Sequence, residues 1–178
     1  MCTLLLLLAP CVSAQVFESE NLYLSAFLDR QSLGETDSTG DLNPVAASGL
    51  IGYWVRTGIG LEFEAGIGVV DDSVGSLDLD FDSGFGVNLR LESQPVSGFA
   101  AYAVFGYVRS SFDVSVDGFN SSITLPGGRL SFGMTYLINR YLHVDAGFSH
   151  HDYDGDTRIN SFRLGLRYNI DSPELTLR

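Results

Sequence analysis

The sequence predicts an all-β fold, an eight-stranded antiparallel up-and-down transmembrane β-barrel, and three observations carry that prediction. First, Ser76 to Ser93 alternates polar and apolar residues over about sixteen positions, roughly 50 Å at 3.3 Å per residue, where soluble strands run about five or six. Second, clusters of Gly, Asp, Asn, Ser and Pro cut residues 21–170 into eight strand-like segments, joined alternately by tight and by looser polar connections. Third, the glycines inside the strands fall on the polar face, as a narrow lumen filled by side chains requires.

The expected strands are 21–30, 44–56, 59–70, 77–92, 99–113, 121–138, 142–151 and 158–170. In the third, Ile59, Leu61, Phe63, Ala65, Ile67 and Val69 oppose Gly60, Glu62, Glu64, Gly66 and Gly68. In the fourth, odd positions such as Leu79, Phe81, Phe85, Val87 and Leu89 oppose Asp78, Asp80, Gly84, Gly86, Asn88 and Arg90, so Phe81 is expected on lipid and Asp80 inside. The sixth sets Leu130, Phe132, Met134 and Tyr136 against Arg129, Ser131, Gly133 and Thr135. The seventh sets Leu142, Val144, Ala146 and Phe148 against His143, Asp145, Gly147 and Ser149, and the eighth sets Phe162, Leu164, Leu166 and Tyr168 against Arg163, Gly165, Arg167 and Asn169. The first, second and fifth segments are ambiguous, because Tyr23, Phe27, Trp54 and Tyr102 leave both faces partly apolar. The connections "RTG", "SQPVSG" and "INRY" are tight, and those at the other end are more polar and mostly longer. A closed barrel leaves no unpaired edge in lipid, which makes the bilayer the solvent for the long apolar face.

Length and composition fit one domain: 178 residues, 45% hydrophobic, 20 glycines and a net charge of −12. Ten well-spread Lys and Arg argue against a nucleic-acid partner. The N-terminus, "MCTLLLLLAPCVSAQ", reads as a secretory signal peptide cut after Ala14. Residues 15–170 then form the barrel domain, and residues 171–178 a short periplasmic tail opened by Ser172 and Pro173. Both cysteines, Cys2 and Cys11, lie in the leader, so the mature chain has no thiol. Two aromatic girdles are expected: Tyr53, Trp54, Phe63, Phe99, Tyr136, Tyr141 and Tyr168 near the tight turns, and Phe81, Phe112, Phe148, Tyr153 and Phe162 near the loops.

With the eight-strand meander, "GYWVRTGIGLEFEAGIG" at the second hairpin and "FRLGLRYNI" as the closing strand, residues 21–170 resemble the small outer-membrane barrels of Gram-negative bacteria, the OmpA/OmpX and opacity-protein type. The resemblance implies a cell outer-membrane location. It implies outer-membrane lipid, including lipopolysaccharide, and the outer-membrane assembly machinery as partners, with a surface ligand whose identity the motifs do not give. The chain departs from that pattern at "DSPELTLR", which follows Ile170 where such barrels often end on an aromatic residue.

Candidate site residues are of three kinds. Glu62, Glu64, Asp80, Glu92 and Asp145 share the inward face with Arg90, Arg129, His143, Arg163 and Arg167, and are expected to form one salt-bridged lumen network. Asp152, Asp154 and Asp156 are weak candidates for a divalent cation, since "DYDGD" is too short for a dedicated calcium loop. No cofactor is expected, because there is no glycine-rich phosphate loop and no nucleophile elbow. In "FSHHDYD", Ser149 and His150 point to opposite faces, and Ser149 and His151 are about 6–7 Å apart along the strand. A structural or surface-interaction role is therefore expected, with a narrow ion channel as the alternative and a lipid A-modifying enzyme third.

Overall fold

A computed structural model describes residues 21–32, 43–74, 77–116, 119–153 and 157–170. The expected leader, the tail from 171 to 178, and Asp154 and Asp156 lie outside these residues. Nine strand segments follow in order: β1 Leu22–Ser32, β2 Val45–Arg56, β3 Ile59–Val70, β4 Asp72–Val74, β5 Leu77–Glu92, β6 Phe99–Val116, β7 Phe119–Leu137, β8 Leu142–Tyr153 and β9 Arg158–Ile170. β4 continues β3 past Asp71, and both pair with β5, so the wall has eight strands.

Every pairing is antiparallel between chain neighbours, apart from β1 with β9, which closes the ring. The order β3-β2-β1-β9-β8-β7-β6-β5-β4, with β3 also on β5, is an up-and-down barrel. Local chemistry sets the tight turns. Gly58 has φ +74, and a Cβ there would strike the Glu92 carbonyl. Ser97 and Gly98 both have positive φ, and Val96 and Phe99 exchange backbone hydrogen bonds around them, a two-residue hairpin turn.

The outer wall is apolar through its middle, with Leu24, Leu28, Ile51, Phe63, Val87, Leu89, Phe105, Phe132, Phe148, Leu164 and Leu166 all exposed. Such a surface suits lipid, and no water-soluble fold would leave so continuous an apolar belt uncovered. Tyr53, Phe99, Tyr136, Tyr168, Phe148 and Phe162 share that outer face, as expected of girdle residues.

Three expected girdle members on the loop side instead face inward. Between Phe81 and Ser83 the pairing with β6 slips: two steps on β5 oppose the single step from Phe112 to Ser111. One extra residue in a strand reverses its alternation beyond that point. Phe81 is therefore buried, and with Phe112, Tyr153, Val108, Ile159 and Ala46 it builds an apolar layer inside the loop end of the barrel. Trp54 also leaves the expected girdle, packing against Tyr23 with ring centroids 4.9 Å apart.

Candidate functional site

Below the apolar layer, the lumen is filled by two layers of charge that stand on rings. The ambiguous strands are resolved by these rings: Tyr23, Phe27 and Tyr102 all point inward and are buried. Glycines on neighbouring strands give them room. A Cβ at Gly133 would lie 2.7 Å from the Tyr102 ring, and one at Gly165 or Gly52 would overlap Phe27 or Tyr23. Guanidinium groups lie over these faces, Arg90 at 4.0 Å from the Tyr102 ring centre and Arg163 at 4.2 Å from that of Phe27.

The upper layer joins β1, β3, β7 and β9. Arg163 donates through Nε to Asp29 Oδ1 at 2.9 Å and through a terminal nitrogen to Asp29 Oδ2 at 3.1 Å. It also reaches Glu64 Oε1 at 2.7 Å, while Arg129 holds Glu64 Oε2 at 2.7 Å. Ser48 donates to Asp29 Oδ2 at 3.0 Å, and Asn88 to Glu64 at 3.4 Å.

In the lower layer Glu92 is the hub. Arg90 donates to it at 2.8 and 2.9 Å, and Arg167 at 2.7 and 2.9 Å. Arg90 also lies 3.2 Å from Asp145 and 3.6 Å from Glu62. Thr135 donates to Asp145 at 2.6 Å, and the Tyr23 hydroxyl to Glu62 at 2.8 Å. His143 Nδ1 accepts from Arg167 at 3.0 Å.

Nine of the ten expected network residues lie in these layers, but as two groups rather than one network: Glu64, Arg129 and Arg163 above, and Glu62, Arg90, Glu92, His143, Asp145 and Arg167 below. Asp80 does not. It lies beyond the bulge, in register with Asp113, outside the part of β5 that crosses the bilayer. Burial, then a hydrogen bond and charge from Asp71 and the charges of Asp113 and Asp82, push its carboxyl above the usual range.

Asp29 is the member the sequence pattern missed. Its signal was parity, since it shares odd numbering with the inward Tyr23 and Phe27, but an aromatic inner face masked the alternation of β1.

Between the apolar layer and the upper charges lies a cavity of about 50 Å³, lined by residues including Gln31, Ser48, Ser110, His151 and Ser161. That is room for about three or four waters, and the Gln31 side-chain oxygen, buried with no hydrogen-bond partner among the described residues, suits one of them.

The residues of the third-ranked hydrolytic reading, Ser149, His150 and His151, are each engaged elsewhere. Ser149 is bonded to Ser131 at 2.7 Å, and His150 to Asn160 at 2.8 Å. Ser110 reaches Tyr153 at 2.9 Å, and the Tyr153 hydroxyl also lies 3.3 Å from His151 Nδ1. Asp152 lies 3.8 Å from Arg158, both side chains well exposed, and no cluster with metal-ligand geometry occurs among the described residues.

At the loop end β5, β6 and β7, together with β4 as the continuation of β3, outgrow the rest. β5, β6 and β7 run 16, 18 and 19 residues, against 11 to 13 for β1, β2, β3, β8 and β9. β8 stops pairing with β7 at Gly127, whereas β6 follows β7 to Phe119. A sheet of β4, β5, β6 and β7 therefore rises above the barrel rim.

Comparison with known proteins places the architecture. No curated protein sequence matches the chain. Among solved structures, Neisserial surface protein A superposes with a TM-score of 0.67 at 15% identity, covering 85% of this chain and 98% of that one. Ail, the attachment invasion locus protein of Yersinia pestis, gives 0.64 at 16%, covering 84% and 99%. The N-terminal β-barrel domain of Pseudomonas aeruginosa OprF gives 0.62 at 14%, covering 85% and 98%. At such identities these likenesses speak for the fold alone. The family model for the outer membrane protein beta-barrel domain matches residues 2–169, and the chain, an eight-stranded outer-membrane barrel, belongs to that family.

Proposed function

We propose that this protein is a non-conducting, non-enzymatic barrel of the outer membrane whose task is surface interaction through the sheet that rises above its rim. The observation that carries the reading is the division of the molecule. Below the rim the lumen is packed with two ion-pair layers under an apolar layer, and above it β5 to β7 continue as an exposed sheet. A cavity of about 50 Å³ is no water column, which disfavours a channel. The partners taken up by Ser149 and His150 disfavour lipid A chemistry.

Residues 1–14 serve as the cleaved leader and residues 171–178 as a periplasmic tail, with lipid and lipopolysaccharide around the belt and the assembly machinery acting during insertion. The structural neighbour Ail is the attachment invasion locus protein of Yersinia pestis and binds the heparin analogue sucrose octasulfate in a crystal structure, which agrees with a surface role.

The test is a deletion strain. Loss of adhesion to protein-coated surfaces with unchanged uptake of small dyes supports the reading. Unchanged adhesion with reduced uptake would replace it by the channel.

A further inference from the structure

One row of inward side chains beside the lumen cavity carries neither charge nor ring. Ser131, Ser149, Ser161 and Gln31 are directly opposed in turn on β7, β8, β9 and β1, and all four are buried. With strands about 4.8 Å apart, they make a rung of small neutral polar groups about 14 Å long. Ser131 and Ser149 bond to each other at 2.7 Å. Gln31 is only 9% exposed, yet its Oε1 has no hydrogen-bond partner among the described residues. Gln31 and Ser161 both line the cavity of about 50 Å³.

The cavity has two unlike sides. Gln31, Ser48, Ser110, Ser161 and the Tyr153 hydroxyl offer neutral donors and acceptors, whereas Ala46, Phe81, Val108 and Ile159 offer only carbon. Gly66, Gly84 and Gly86 on the facing strands leave the space its width. Water fills such a space poorly, because molecules lying against the Phe81 side forgo hydrogen bonds there. A charged guest suits it no better. The carboxylates of Asp29 and Glu64 are matched by the guanidinium groups of Arg129 and Arg163, so an added ion would be unbalanced in a desolvated site.

From this we infer that the lumen cavity is a binding site for a small neutral polyol, a chain of about three carbons with a hydroxyl on each. Every hydroxyl can donate and accept at once. One donates to Gln31 Oε1, the others exchange bonds with Ser161 and Ser110, and the C–H edge of the chain lies against Phe81 and Val108. The size agrees, since three or four waters occupy about 90–120 Å³ of liquid, roughly the volume of a three-carbon triol. A hexose is too large. This site goes beyond the surface-interaction reading and is independent of it, because it needs the lumen walls and not the rising sheet.

Glycerol is the probe, titrated onto isotope-labelled full protein in lipid nanodiscs. Acetate and guanidinium are the charged controls of similar size, and methyl glucoside is the oversized one. NMR shifts of the Gln31 side-chain amide and of the Ser161 and Tyr153 backbone amides read occupancy. Glycerol should saturate these shifts with a midpoint of about 1–10 mM, and none of the controls should saturate them. Gln31→Leu keeps the volume and removes the unpaired acceptor, so the midpoint read on the Ser161 amide should rise about tenfold. Ser161→Val should weaken binding in the same way, read on the Tyr153 amide. Both variants should keep the heat-dependent gel shift, the sign of an intact barrel.

A linear drift of the shifts without saturation, or a midpoint that neither variant moves, leaves the cavity to water and overturns the assignment. Saturation by acetate, guanidinium or methyl glucoside at the glycerol midpoint overturns the ligand class. Loss of adhesion in the deletion strain stands or falls separately from all of these results.

Discussion

Glu64 offers the sharpest test of the packed lumen, because its carboxylate lies between two guanidinium groups contributed by strands across the barrel. Arg129 and Arg163 each approach it to 2.7 Å. At an effective dielectric of about 20, one such contact is worth about 6 kcal/mol, and the desolvation of the charges cancels a large part of it. Replacing Glu64 with Leu leaves Arg163 on Asp29, but leaves Arg129, among the described residues, with Ser131 as its hydrogen-bond partner. Stranding a buried charge in this way costs about 3–5 kcal/mol. Adding Arg129→Met removes the stranded charge, so the double variant should recover to within about 1–2 kcal/mol of the parent. Reversible urea unfolding in detergent micelles, followed by tryptophan emission and the gel shift, measures both. Equal destabilisation of the single and double variants, or a loss below about 1 kcal/mol for Glu64→Leu, would refute the paired-lumen argument.

Other perturbations probe the two faces and the rim. Gly133→Ala forces a Cβ onto the Ala146 carbonyl oxygen and to within 2.7 Å of the Tyr102 ring and should lower the unfolding free energy by about 1–3 kcal/mol, whereas Gly49→Ala meets nothing within 4 Å and should be near neutral. Leu164→Arg puts a charge on the lipid face at a cost of about 2–4 kcal/mol; an unchanged insertion yield in liposomes would show that this face does not meet lipid. Because the fold holds the Asp80 carboxyl above its usual range, its charged form is the disfavoured one, and stability falls as pH rises through that folded value. Asp80→Asn should therefore raise the unfolding midpoint at about pH 7 and change little at about pH 3; the reverse order would contradict the crowding of Asp80 by Asp71 and Asp113.

Much of the barrel was legible because its code is a period of two. On β3 as far as Gly68, and through the middle of β7, β8 and β9, the polar residues face in and the apolar residues out with no slip, so Glu62, Arg129, Asp145 and Arg167 could be assigned from parity. The pattern misled on β5, where the bulge beside Asp82 exchanged the faces of Phe81 and Asp80 without any change in the rhythm of the letters. Alternation records which residues differ, and a bulge changes where they point. On β1 the inner face is aromatic near the turns and acidic at Asp29, so polarity alone could not mark it. The height of the β6 and β7 hairpin was understated for a similar reason, since strand residues such as Ser115 and Asn120 fell between the expected segments 99–113 and 121–138.

The central claim, that the charges and rings close the lumen, is met most directly by conductance. Purified wild-type barrel inserted into a planar bilayer should give no steady current at either polarity, because two ion-pair layers and the Phe81, Phe112 and Tyr153 layer lie in series along the axis. Large, stable, voltage-independent openings from the wild-type chain would contradict it.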